Sequence, residues 1–196
     1  LTLSRSDLTE NVTVSVVSDG DGSTYAFSLP GGTTVSGTEL LNLTTGSGDD
    51  HVTFANTTIK GYQSWYAGAG TDTAVVDFSA FASTVSSTQA YWNPSYHSIE
   101  AGYNGSGYDY SVYLHDVENL EMRGGSGDDY LSRMSGNNTL VGNDGNDNLT
   151  SSSGGDDTLR GGAGDDYFNV SGGGADVIDG GGGTDTLTLS RSEAMH

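Results

Sequence analysis

The chain has no cysteine, and lysine occurs once, at Lys60. Without cysteine there are neither disulfides nor thiolate-based zinc sites. Basic residues number six against 26 acidic ones, which leaves a net charge of -20 over 196 residues. A chain this acidic repels nucleic-acid phosphates, so DNA and RNA are not expected partners, and metal cations become the simplest positive ones. No apolar run approaches the ~20 residues that cross a bilayer, so membrane insertion is not expected. No signal peptide is visible, because Leu1 leads directly into polar β-type sequence. Apolar residues amount to only 33%, and 31 glycines dilute them further, which puts the composition close to that of a disordered chain.

Order comes instead from repetition. The pattern G-G-x-G-x-D-x-U-x, with U a large apolar residue, tiles seven units at 124–132, 133–141, 142–150, 152–160, 161–169, 171–179 and 180–188. Its sixth position reads Asp129, Asn138, Asp147, Asp157, Asp166, Asp176 and Asp185, and its eighth reads Leu131, Leu140, Leu149, Leu159, Phe168, Ile178 and Leu187. Isolated units at 45–53 and 67–75 add Asp50 and Asp72. Three residues x-U-x make a short strand with one inward side chain, and the six before them make a glycine-rich turn. Two units close a coil of about 18 residues, and stacked coils line up their U residues in one central column. An unstructured Gly/Asp linker would leave that column a coincidence.

Stacking also brings sixth-position carboxylates of alternate units together, which is costly without a counter-ion. Asp147 is expected to face Asp129 and Asp166, with Asp185 extending the column, and Asp157 to face Asn138 and Asp176 on the opposite edge. Calcium takes six to eight oxygens, and two facing turns offer two carboxylates plus main-chain carbonyls that glycine leaves unobstructed. Gly125, Gly127, Gly145, Gly155, Gly162, Gly164, Gly174, Gly181 and Gly183 are the candidate carbonyl donors. The neighbouring acids Asp128, Asp156 and Asp165 are expected to point outward and attract ions without ligating them. These nonapeptides resemble the repeats-in-toxin (RTX) family. The resemblance implies an all-β, calcium-loaded parallel β-roll holding several ions, in a protein exported by type I secretion. It further implies that the sixth-position carboxylates and nearby turn carbonyls are the ligands. Unit 133–141 departs from the pattern, with Arg133 and Met134 in place of two glycines and Asn138 in place of an aspartate, so a calcium site there is in doubt.

A longer period overlies the short one. Residues 35–52 align with 114–131, matching Glu39 to Glu118 and Leu41 to Leu120, and LTLSRS occurs at both 1–6 and 187–192. The chain therefore divides into a β insert at 1–44, a short RTX turn segment at 45–75, a second, aromatic-rich insert at 76–123, the roll at 124–188, and the start of a further repeat at 189–196. From such a period, a tandem array continuing on both sides is expected. Alternation in NVTVSVV (11–17), TYAFSL (24–29) and YDYSVYL (108–114) makes the inserts β-structured, and each is expected to lie as a hairpin or small antiparallel sheet against the roll. Tyr91, Trp92 and Tyr96 could stack on a glycan, or the tyrosines could simply fill a small core. Acidic pairs recur in turn after turn where an active site would be unique, and no nucleophile elbow, P-loop or closely spaced histidine pair is present, so no enzymatic activity is expected. The function expected is a calcium-dependent structural module of a large secreted or cell-surface RTX protein, of adhesin or surface-layer type, whose partners are calcium and neighbouring repeats. The alternatives are a glycan-binding module and the accessory tail of a secreted toxin, hydrolase or polysaccharide-modifying enzyme.

Overall fold

The computed structural model describes residues 2–5, 9, 11–18, 25–29, 33–38, 41–55, 61–89, 95–103, 105–133, 135–152 and 154–191, with the backbone alone at 15–18, 25–29, 33–38 and 55. All regular structure among them is strand. One sheet runs β1 (Thr2–Ser4), β5 (Asn42–Thr44), β7 (Gly61–Tyr66), β11 (Tyr108–His115), β10 (Tyr96–Tyr103), β9 (Val85–Gln89), β13 (Tyr130–Arg133), β15 (Asn148–Ser151), β17 (Tyr167–Ser171) and β19 (Thr186–Ser190). The other runs β18 (Val177–Gly182), β16 (Thr158–Ala163), β14 (Thr139–Asp144), β12 (Asn119–Arg123), β8 (Thr73–Asp77), β6 (His51–Ala55), β2 (Thr13–Ser18), β3 (Tyr25–Leu29) and β4 (Thr33–Thr38). From β5 to β8 and from β12 to β19 the chain crosses from one sheet to the other at every turn, and neighbouring coils pair in parallel. This is a parallel β-roll.

The nonapeptide pattern explains the register. Leu131, Leu149, Phe168 and Leu187 pair in one sheet, and Met122, Leu140, Leu159 and Ile178 in the other. From Leu131 through Phe168 all five eighth-position residues are buried, while Tyr130 and Tyr167, one residue earlier, face outward. Leu187 departs from the expected column and is 49% exposed, because β19 is the last strand of its sheet and no described strand lies beyond it.

The inserts do not lie against the roll as the sequence suggested; their strands continue its sheets. β1 and β2 pair in parallel with β5 and β6, and β11 with β7. Among the described residues, antiparallel pairing is confined to β2–β3–β4 and β9–β10–β11. The reason is edge satisfaction: a strand stacked in register uses every backbone donor and acceptor, whereas a hairpin laid on a sheet face would leave the edges of both open.

The core narrows along the axis. β6 and β8 each bury two side chains, Val52 with Phe54 and Ala74 with Val76, and β12 matches them with Leu120 and Met122. β14 buries Leu140 and then Gly142, with Leu140 paired to Met122, so Leu120 finds no apolar partner in the next coil. A two-residue step therefore separates the wide coils from the narrow nonapeptide coils.

Adjacent residues on opposite faces should respond very differently. Phe168→Ala is expected to cost roughly 3–5 kcal/mol in urea unfolding of the calcium-saturated protein. Tyr167→Ala should stay within about 1 kcal/mol; similar losses at both positions would contradict the inward assignment of Phe168.

Candidate metal centre

The sixth-position side chains form two ladders, one on each edge of the roll. On the edge where the chain leaves β12, β14, β16 and β18, the Asp147 carboxylate accepts the Asp129 amide at 2.8 Å, Asp166 accepts the Asp147 amide at 2.8 Å, and Asp185 accepts the Asp166 amide at 3.0 Å. Asp129 heads the column by accepting the Val85 amide at 2.7 Å. On the opposite edge Asp157 accepts from Asn138 at 2.8 Å and Asp176 from Asp157 at 3.1 Å. Further back on that edge Asp50 accepts from Val12 and Asp72 from Asp50, both at 2.8 Å. Each carboxylate thus spends Oδ1 on the preceding coil, which places the candidate aspartates next to one another in the order expected.

Within the nonapeptide coils the second oxygen distinguishes the edges. Oδ2 of Asp147 and Asp166 is buried without a hydrogen-bond partner, a state shared by Asp50 and Asp72 further back on the opposite edge. By contrast, Ser151 Oγ donates to Asp157 Oδ2, and Arg191 Nη2 donates to Asp176 Oδ2 at 2.7 Å. A buried, unpaired carboxylate oxygen is expensive, and it marks the place for a cation.

Glycine makes room for that cation. A Cβ on Gly161 would lie 2.0 Å from Asp166 Oδ2 and 2.7 Å from the Gly180 carbonyl oxygen of the next coil. Gly142 repeats the arrangement with Asp147 Oδ2 and the Gly161 carbonyl, and Gly124 with Asp129 Oδ2 and the Gly142 carbonyl. The same hard-oxygen cradle therefore recurs once per coil. Gly145, Gly164 and Gly183 stack along this edge, where a Cβ on Gly164 (φ +136°) would sit 1.9 Å from the Gly145 carbonyl oxygen. Gly125 and Gly127 open the edge, and Gly162 and Gly181 continue it; the Gly162 carbonyl points at Gly181. On the other edge the Gly155 carbonyl points at Gly174. Asn143 takes a glycine position at φ 87° and donates its side-chain amide to the Gly124 carbonyl at 2.7 Å. Among the described residues no three His, Asp or Glu side chains gather at one point, so an ion held here rests on carboxylates from two coils and on main-chain carbonyls.

Calcium fits this donor set. A family model for the RTX calcium-binding nonapeptide repeat (4 copies) matches residues 123–156 and 151–173. These are RTX calcium-binding nonapeptide repeats. No curated protein matches the chain.

Beyond the matched residues, the RTX geometry extends through Asp185 and back to Asp50 and Asp72, since the same carboxylate-to-amide bond recurs there. The fifth-position acids of the RTX turns lie on the exposed side as expected, but they are not idle. Asp128 accepts the Asn146 amide, Asn146 that of Asp165, and Asp165 that of Thr184, at 2.7–2.8 Å. Fifth positions thus reach forward along the axis and sixth positions backward, so each pair of turns is clasped from both sides. Glu118 supplies a rung that the nine-residue pattern misses, accepting the Asp72 amide at 2.8 Å. Its signal in the sequence is the match to Glu39 in the longer period.

Tyr91 and Trp92 lie outside the described residues. Tyr96 stands in a cross-strand row with Tyr62 and Tyr113, whose ring centroids are 5.9 Å apart at each step and whose planes lie within 19° of parallel. His115 packs on Tyr66 at 4.1 Å and against Tyr96 at 5.0 Å. The faces of Tyr96 and Tyr113 are therefore occupied by neighbouring rings, whereas stacking on a sugar needs a free face.

In the ion-free protein, burial pushes Asp147 up to about 7, with the Asp129 and Asp166 charges adding to it, and burial likewise pushes Asp129 and Asp72 up to about 6. Folded-state values above the unfolded value of about 3.9 mean that the folded chain binds the extra protons, so stability is greatest below pH ~4 and is lost as pH rises through about 6 to 7. In chelator, the β signal in circular dichroism should therefore rise as pH falls from 8 to 5. With saturating calcium, acidification should instead lower the thermal midpoint, because protons then compete with the ion. A β signal in chelator that falls with acidification would contradict the burial argument. Gly161→Ala should also weaken calcium binding severely, while Gly173→Ala, whose Cβ meets nothing within 4 Å, should leave calcium titrations unchanged.

Proposed function

We propose that this chain is a calcium-dependent structural module of a large secreted or cell-surface RTX protein, of adhesin or surface-layer type. It is exported unfolded by type I secretion from a Gram-negative bacterium and folds on meeting extracellular calcium. It holds several ions, with Asp129, Asp147, Asp166 and Asp185 on one edge and Asp50 and Asp72 on the other, and it performs no catalysis. The observation carrying this reading is the buried, unpaired Oδ2 of Asp147 and Asp166, each set beside a carbonyl oxygen of the next coil in a chain of net charge -20. At low calcium these carboxylates repel one another and the coils separate; calcium binds the stacked form only, so binding free energy becomes folding free energy. The self-stacked aromatic row favours this structural role over glycan binding.

Far-UV circular dichroism in excess chelator should show a large loss of β signal, restored by calcium and not by magnesium, which demands a near-octahedral shell and dehydrates reluctantly. A spectrum identical with and without chelator would sink the coupling.

A further inference from the structure

One turn in the roll is built for a different cation. Unit 133–141 stacks on the chain at 117–120, where the core steps down by two residues and the Val117 and Glu118 carbonyls meet the narrower coil. Arg133 ends β13 in the inward-facing register of Ser151 and Val170 and is only 2% exposed. Its guanidinium donates to the Val117 carbonyl, to the Glu118 carbonyl at 3.4 Å and to the Ser135 carbonyl at 3.3 Å. Asn138, in the aspartate position, donates its amide to the Ser135 and Gly136 carbonyls at 3.0 and 2.9 Å and to Asp157 Oδ1 at 3.0 Å. Turn carbonyls like those that line the cradles of the other edge are here met by N–H donors. Burial pushes Arg133 down to about 10, against the fields of Glu118 and Asp157, which favour the charged guanidinium, so it stays charged at neutral pH; burial together with the Arg133 charge keeps neighbouring His97 neutral.

The same device closes the other end of this ladder. Arg191, following β19, donates to the Gly174 carbonyl at 2.6 Å and to Asp176 Oδ2 at 2.7 Å, one carbonyl and one carboxylate of a single turn. Arginine suits the task because its planar fork spans several oxygens and keeps its charge when buried.

We propose that Arg133 is a tethered counter-cation that replaces calcium between the coil of β12 and the first nonapeptide coil, so that this junction closes without the ion. The inference rests on the calcium reading of the neighbouring turns. It makes this joint itself ion-free, so that residues 134–141 dock on the larger apolar core of the wide N-terminal coils and the calcium-requiring nonapeptide coils stack on them in turn.

Hydrogen–deuterium exchange of the full chain in chelator tests this. Peptides covering 134–141 should exchange at least about tenfold more slowly than peptides covering 161–169, and calcium should slow mainly the latter. Arg133→Met, which keeps the length and loses the charge, should abolish the protection of 134–141 in chelator. Arg133→Gly combined with Asn138→Asp should make that protection calcium-dependent and add one bound calcium per chain by titration calorimetry. The proposal is overturned if 134–141 exchanges as fast as 161–169 in the unmodified chain in chelator, if Met serves as well as Arg, or if the double variant folds yet binds no additional calcium. Should the double variant fail to fold, the unmodified chain and the Met variant still decide. A chain that binds no calcium at all sinks the proposed function instead, and the Met variant still decides the role of Arg133.

Discussion

The hydrogen bond from each turn amide to the sixth-position carboxylate of the next coil is the constraint from which the rest of this structure follows. It fixes the stacking register, and in doing so it sets carboxylates in columns at about the 4.8 Å spacing of neighbouring strands. Two unit charges at that distance repel by roughly 3–4 kcal/mol at an effective dielectric of about 20. The repulsion recurs at every step along the edge from Asp129 to Asp185. The bond that orders the coils therefore also drives them apart, and a cation between them is a structural requirement. Glycine follows from the same bond, because the carboxylate lies where the first residue of its own unit would place a Cβ.

Within the nonapeptide coils the two edges answer this constraint in different ways. One keeps glycine at the first position and leaves Oδ2 of Asp147 and Asp166 without a protein donor. The other supplies donors of its own: Asn138 to Asp157 Oδ1, Ser151 to Asp157 Oδ2 and Arg191 to Asp176 Oδ2. An exposed surface ion pair contributes little to stability, but a guanidinium that is 2% exposed and bonded to carbonyls of two coils holds a fixed geometry. Within the nonapeptide coils the ion requirement is thus concentrated on one edge and relieved on the other.

Much of this was legible in the sequence because a nine-residue period admits few geometries. The seven aligned apolar residues defined the column, and the sixth-position aspartates defined both ladders, down to Asp147 lying between Asp129 and Asp166. The placement of the inserts was not legible. Alternation identifies NVTVSVV and YDYSVYL as strands but carries no information about partners, and parallel stacking onto β6 and β7 is a long-range outcome. The forward-reaching bonds of Asp128 and Asp165 were missed because an exposed aspartate in a turn reads as solvated charge. Arg133 appeared only as damage to a motif. Its role depends on carbonyls that the two-residue step presents at Val117 and Glu118, and no local pattern announces that step.

A stack of mutually repelling coils has a difficulty beyond its final stability. In a solenoid each coil contacts only its neighbours, so the first repelling coil needs a surface already formed on which to dock. The wide coils can provide one, since Phe54, Trp65, Val76, Leu114 and Met122 are fully buried there and give a larger apolar core per coil than the nonapeptides do. An ion-dependent joint between the two would leave that surface separated from the roll at low calcium, and every later coil would then have to nucleate alone. A joint closed by a covalently attached charge removes that dependence at the one step where it would be most costly. The substitutions that spoil unit 133–141 as a calcium-binding repeat are, on this argument, what lets the units after it stack.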